Sequence, residues 1–413
     1  MSLRVALVFL LLVATLGAAS GADNADKAKS AVDNAPKSKS AGNTSKATST
    51  AATPGKAAVN GNKTAATATK GASAQFTKMF GEWKQINNKL FQLRNRYQND
   101  PSADKATLEN EFNDLSKKAT DMIEPLTGIA RESYLAAPNE NPELNDFLVQ
   151  ALTFFVVRDE YEKAAEWAKM LLDNNLEHKD LNVLAGMAFF ATSDFANAKK
   201  YLQAAKDAGA ITANGERYLR LTEKYQPMWA KETAIRAKED KAGDLPKVKL
   251  TTSKGDIVVE LFENQAPIAT ANFITLVEKK FYDGLKFHRV LPGFMAQTGD
   301  PNGDGSGGPG YTIPDECRQE NHRNHFRGSL SMAKGSDPDS GGSQFFLTFV
   351  PTSHLDGKHT VFGRVVEGLD VLAKLQRIEP GAPGTPDKIE KAVVLSKRSH
   401  KYEVLGKRFD KKP

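Results

Sequence analysis

Phe287-His288-Arg289-Val290-Leu291-Pro292-Gly293-Phe294-Met295-Ala296-Gln297 sets one guanidinium among apolar side chains, with a carboxamide close behind it. Side chains alternate between the two faces of a strand, so Arg289 and His288 face apart. Arg289 is then free to meet a ligand, and His288 is expected to make a structural hydrogen bond. Further along come Leu330-Ser331-Met332-Ala333, Gln344-Phe345-Phe346-Leu347 and Leu355-Asp356-Gly357-Lys358-His359.

The surrounding sequence reads as strands with short helices. After Gly243-Asp244-Leu245-Pro246 the period changes from helical to alternating: Val248 and Leu250, then Ile257, Val259 and Leu261, flank Ser253-Lys254-Gly255 as a β-hairpin. Helices are expected from Ala266 to Lys279 and around Leu369 to Gln376, with short strands and Gly-rich turns between them. Many short strands plus two helices suggest a closed antiparallel barrel plugged at its ends. The stretches Phe287–Gln297, Gln344–Leu347 and Leu355–His359, in this order, resemble the active-site strands of a cyclophilin, a peptidyl-prolyl cis/trans isomerase. The resemblance runs from about Lys247 to about Ser396 and implies an eight-stranded barrel over 247–397.

That resemblance implies a chemistry that the residues can support. The bond before proline rotates over a barrier of about 18–20 kcal/mol, because the nitrogen lone pair is shared with the carbonyl. A guanidinium donating to that nitrogen would localise the lone pair and favour the twisted state over either planar one. By resemblance, Arg289 is the donor, Gln297 the amide that contacts substrate backbone, and His359 the histidine of the pocket wall. Phe294, Met295, Phe346 and Leu355 match the proline pocket, and Ala333 lines the groove for the extended peptide. Phe345 is read as core. One departure stands out: His354 occupies the position where the family's best-known members carry tryptophan, which implies weaker cyclosporin contact. No cofactor, metal or covalent intermediate is called for.

The first half of the chain is helical in period. Met79, Trp83, Ile86, Leu90, Leu93 and Tyr97 form one stripe, and Leu108, Phe112, Leu115, Ala119, Met122 and Leu126 a second. Asn99-Asp100-Pro101-Ser102 separates them, so a two-helix hairpin is expected. An internal repeat follows, aligning Ala151 with Ala185, Phe155 with Phe189, Tyr161 with Phe195, Ala164 with Ala198 and Trp167 with Tyr201. The repeat resembles tetratricopeptide units. A last helix, about Asn214 to Lys238, is expected to cap the stack with a polar outer face. The chain is therefore expected to be multidomain, with a helical region over 75–240 ahead of the barrel. The helical region either binds a protein partner in a groove or simply completes a folded domain.

Residues 1–22 read as a secretory signal: Arg4, an apolar run from Val5 to Leu16, and Ser20-Gly21-Ala22 before Asp23. Export to a periplasmic or extracellular site follows, either free after cleavage or tethered by an uncleaved leader. Residues 23–72, rich in Ala, Lys, Ser and Thr without an aromatic, are expected to be a disordered linker. Residues 398–413 are expected to be a solvated basic tail. The net charge of +6 is spread widely, which gives no reason to expect a nucleic-acid partner. Asp300-Pro301-Asn302-Gly303-Asp304-Gly305 imitates the start of a calcium loop, but Tyr311 stands where the bidentate carboxylate belongs. Cys317, His322 and His325 fit no common zinc spacing. Two roles remain open: a folding isomerase for exported proteins acting on proline-containing peptides, or a proline-motif-binding scaffold or chaperone in which turnover is incidental.

Overall fold

The computed structural model describes residues 62–404 and 406–408. The leader and residues 23–61 of the expected linker lie outside these. The described residues form two compact units, divided after Ala137. The helical region read as one domain over 75–240 is therefore divided, and its second part belongs to the same unit as the strands.

The first unit holds α1 (Asn62–Asn99), α2 (Lys105–Asp121) and α3 (Ile123–Ala136). The stripe on α1 is buried at Phe76, Phe80, Trp83, Ile86, Leu90 and Leu93. Two expectations need correction here. Residues 62–72 of the expected linker belong to α1, because alanine-rich sequence extends a helix that a packed segment has already nucleated. The second stripe is two helices rather than one. Pro125 has no N–H for the carbonyl of Asp121 and its ring crowds that carbonyl, so the helix breaks at Met122.

The second unit begins with two helical pairs, α4 (Pro142–Val157) with α5 (Tyr161–Asp173), and α6 (Leu181–Ala191) with α7 (Phe195–Asp207). The aligned aromatics meet within each pair: Phe155 packs edge-on against Trp167 at 5.2 Å, and Phe189 lies 5.7 Å from Tyr201. A Cβ on Gly186 would stand 2.5 Å from the Leu202 side chain, so only glycine admits that close approach. The positions 34 residues earlier are Leu152 and Ala168, both fully buried. The large and small partners have changed sides.

α8 (Ala213–Ala242) packs on the last helical pair as expected, with Tyr218 stacked on Phe190 and Tyr225 on Phe195, but a second face of it is also covered. Tyr225 and Trp229 pack against Phe326 of the strand region at 5.7 and 4.8 Å. Glu232 and Glu239, two turns apart on the same face, are buried against Arg323. The Arg323 guanidinium lies 3.7 Å from the Phe262 ring centroid and gives Glu232 two hydrogen bonds of 2.8 and 2.6 Å. Glu232, Glu239 and Asp240 find partners in the barrel half, and this makes α8 a shared layer.

Eight strands form one curled antiparallel sheet: β1 (Lys247–Thr252), β2 (Gly255–Leu261), β3 (Arg289–Leu291), β4 (Met295–Thr298), β6 (Ser329–Met332), β7 (Phe345–Thr348), β8 (Val361–Glu367) and β9 (Ile389–Ser396). Their order is β3-β4-β7-β6-β8-β2-β1-β9. Helices α9 (Pro267–Glu278) and α10 (Leu369–Lys374) accompany it. Inside, Phe345 packs on Phe273 and Tyr282, as expected of a core residue. Burying one such ring contributes about 1.5–3 kcal/mol.

The C-terminal segment is not a solvated tail as far as it is described. Arg398 bonds Asp244 and Asn264, Tyr402 donates to the buried Glu263 at 2.9 Å, and β10 (Lys407–Arg408) pairs with β5 (Tyr311–Thr312). A carboxylate buried without partners is costly, and the chain end supplies its donors. Among the described residues no helix is long and apolar enough to cross a membrane.

Candidate active site

The site sits on the outer face of β3, β4, β7 and β6, and strand register explains which residues reach it. Arg289, Gln297, Phe346 and Ser331 stand opposite one another across the four strands. Side chains in such a row share a face. Leu291, Met295 and Thr348 form the next row on that face. The row between them, Val290, Ala296, Leu347 and Leu330, points inward and is at most 1% exposed. The alternation read from Arg289 is therefore realised on all four strands.

The β3–β4 turn carries the next residues. Leu291-Pro292-Gly293-Phe294 has proline at its second position and glycine at φ +64° at its third, closed by Phe294 N–H donating to the Leu291 carbonyl at 3.2 Å. This is type II turn chemistry. It leaves the Gly293 N–H pointing away from the turn and brings Phe294 beside Met295. Met295, Ala333 and Phe346 then form a buried apolar cluster, with Leu291, Phe294 and Leu355 packed on it. His354, on the 3-10 turn Ser353–Leu355, lies 5.5 Å from the Phe294 ring. His359 stands edge-on to Phe346 at 5.7 Å, and its Nδ1 lies 3.0 Å from the Met332 carbonyl. That contact places the proton on Nδ1. Burial pushes the His359 pKa down, so the ring is neutral at neutral pH.

The half-buried Arg289 makes no ion pair with any carboxylate among the described residues. It shares its sheet face with Gln297 and Leu291. Gln297 is oriented by Gln344, whose Oε1 accepts from Gln297 Nε2 at 2.8 Å. Gln344 in turn donates to the carbonyls of Gly305 and Gly307 at 2.8 and 2.9 Å. It was not singled out from the sequence, although it directly precedes the Phe345-Phe346 pair. His325 is a second residue missed in this role. Its ring lies parallel to Phe346 at 5.9 Å, held by Asp356 at 2.8 Å and Ser331 at 2.9 Å. Burial pushes its pKa down, and it braces the cleft floor as a neutral ring.

Two polar residues near the site serve the fold. His288 is buried, with the Lys286 backbone as its polar neighbour. Asp300 spends its carboxylate on the N–H groups of Asn302, Asp304 and Gly305, closing its own loop.

The curled antiparallel sheet thus gathers six apolar side chains on the face that also carries Arg289 and Gln297. Residues 247–394 match the family profile described as cyclophilin type peptidyl-prolyl cis-trans isomerase/CLD. A peptidyl-prolyl cis-trans isomerase of Helicobacter pylori is 50% identical over 142 residues, 34% of this chain and 86% of that protein. Peptidyl-prolyl cis-trans isomerase B of Bacillus subtilis is 53% identical over 115 residues, 28% of this chain and 78% of that protein. The crystal structure of a cyclophilin type isomerase from Cryptosporidium parvum, in the presence of the dipeptide Ala-Pro, is 34% identical with a TM-score of 0.34, covering 36% of this chain and 99% of that one. The chain belongs to the cyclophilin-type peptidyl-prolyl cis-trans isomerase family.

Proposed function

We propose that the cleft rotates X-Pro bonds of client chains through the residues on its floor and rim. A proline ring enters the space lined by Phe294, Met295, Phe346 and Leu355. Arg289 donates to the prolyl nitrogen, Gln297 holds the neighbouring backbone, Ala333 opens the groove for the preceding residues, and His354 and His359 bound the two sides. Uncatalysed rotation takes tens to hundreds of seconds. No bond is made or broken, so catalysis rests on a donor that meets the pyramidalising nitrogen better than the planar amide. Arg289 on the same sheet face as the apolar cluster, with no ion pair among the described residues, is the observation that carries this assignment. In a protease-coupled assay on a proline tetrapeptide, the full chain with Arg289→Ala is expected to lose about 100-fold or more in kcat/KM, the scale of one lost transition-state donor. Wild-type turnover by that variant refutes the role. Lost turnover with an intact cellular function would favour the scaffold role instead.

The setting is part of the same proposal. Arg4, the apolar run Val5–Leu16 and Ser20-Gly21-Ala22 support export, so the clients are proteins folding outside the cytoplasm, in a periplasmic or extracellular space. A mature chain beginning at Asp23 by N-terminal sequencing is expected; an intact Met1 in the cytosol contradicts export. The curled sheet is taken as the closed barrel of the family, because Lys286 bridges Lys388 and Val290 bridges Ile378 between its two ends. The helical pairs are taken as tetratricopeptide-like, supported by their 34-residue spacing from Tyr161 to Phe195 and their matched aromatic contacts.

A further inference from the structure

The turn between α4 and α5 reaches into the cleft's support. Asp159 is only 1% exposed, and its backbone is left-handed at φ +64°. Its Oδ1 accepts the Gly293 N–H at 2.8 Å, and its Oδ2 accepts from the Arg377 guanidinium at 2.6 Å. Its carbonyl accepts from Arg327 at 2.9 Å. Arg327 also pairs with Glu162 at the start of α5 and donates to the Phe349 carbonyl. Arg377 lies over the Phe349 ring, and the Phe349 N–H donates to the carbonyl of Phe294.

Every strand of this network ends on the turn that carries Phe294. The Gly293 N–H is the donor that the type II turn leaves outside itself, and only a residue from the helical layer meets it. Burial pushes the Asp159 carboxyl above its ordinary range, while the Arg377 and Arg327 charges and the Gly293 N–H pull the other way. A carboxylate held in so dry a place needs all its donors.

We propose that Asp159 is a positioning residue of the isomerase, holding the Leu291–Phe294 turn so that Phe294 and Met295 stand where the proline ring binds. The helical layer thus completes the active site rather than merely adjoining it. The proposal rests on the cleft being the proline site. It acts through contacts that are alike for the planar and twisted substrate, so its loss appears in KM rather than kcat.

The test uses the full chain and three variants. Asp159→Gly keeps the left-handed backbone, which glycine adopts freely, and removes the acceptor. Asp159→Asn keeps an oxygen for the Gly293 N–H and gives up the charge opposite Arg377. Glu239→Gln weakens the remote Arg323 contact on α8. With Asp159→Gly, KM for a proline tetrapeptide is expected to rise about fivefold with kcat within about twofold, and the Gly293 amide to lose protection from hydrogen exchange. Asp159→Asn should keep KM within about twofold of wild type, and Glu239→Gln should leave KM unchanged. A wild-type KM for Asp159→Gly overturns the proposal. So does an Asp159→Asn variant that behaves like Asp159→Gly, since charge and not position would then matter. A rise in KM with Glu239→Gln, or failure of both Asp159 variants to fold, makes the contact structural only and overturns it as well. Absence of turnover by the wild-type chain would instead remove the isomerase assignment on which this rests.

Discussion

The turns Arg158-Asp159-Glu160 and Thr192-Ser193-Asp194 lie 34 residues apart and share a backbone but not a task. Asp159 and Ser193 both sit in the left-handed region, at φ +64° and +68°. Asp159 N–H donates to Val156 and Glu160 N–H to Phe155, and the matching bonds of the second turn run from Ser193 to Phe190 and from Asp194 to Phe189. The side chains diverge. In the second turn Asp194 caps its own helix, accepting from the Asn197 N–H at 3.2 Å, and the Thr192 hydroxyl donates to the Ala188 carbonyl. In the first, Glu160 makes no cap, and the Arg158 carbonyl and the Asp159 carboxylate are both given to Arg377. A repeat delivers a turn of fixed shape. What the turn does is set by the side chain at its left-handed position and by whatever it faces.

The largest expected effect separates docking from positioning. Arg323 fastens the barrel half to α8 through Glu232 and Glu239, away from the turn at Asp159. Arg323→Ala leaves the buried Glu239 without its ion-pair partner and Glu232 with Arg236 alone, a loss that typically costs about 3–5 kcal/mol. Denaturant unfolding of the full chain should show that loss. If the folded variant keeps the wild-type KM at low temperature, the two attachments do different work. Should its KM rise as far as that of Asp159→Gly, the first turn has no special role and the contrast with the second disappears.

How far these roles were legible depends on the distance over which each residue acts. Arg289, Phe294, Met295 and Gln297 were singled out by resemblance to the family's motif, and a strand's two-residue period with one proline-glycine turn accounts for their placement within eleven residues. The helical pairs were readable because packing positions repeat. Asp159 was not, since its partners Gly293 and Arg377 lie 134 and 218 residues away and nothing local marks an aspartate in a turn as an acceptor for another layer. His325 was weighed only as a metal ligand and discounted on spacing, whereas its role comes from lying flat on Phe346. Composition misplaced both chain ends of the folded part: the alanine-rich start of α1 looked unstructured, and the basic segment after Ser396 looked solvated until Glu263 supplied its anchor. Pro125 was in plain view, but a stripe continuing through it outweighed the missing N–H.

The smallest expected effect bears most directly on the two turns. Ser193 is 6% exposed, and its turn is closed by its own backbone bonds and by the Asp194 cap. Replacing it with alanine removes a hydroxyl for which no cross-layer bond exists among the described residues, and adds only modest strain at a left-handed position that aspartate, asparagine and glycine tolerate best. Away from cavities, buried charges and caps, such a change stays within about 0.5 kcal/mol. Ser193→Ala is therefore expected to leave the melting temperature nearly unchanged and kcat and KM at wild-type values, whereas Asp159→Gly, at the equivalent position, raises KM. Equal responses at 159 and 193 would show that both turns matter only as parts of the helical stack. The pocket would then owe its geometry to the strands alone.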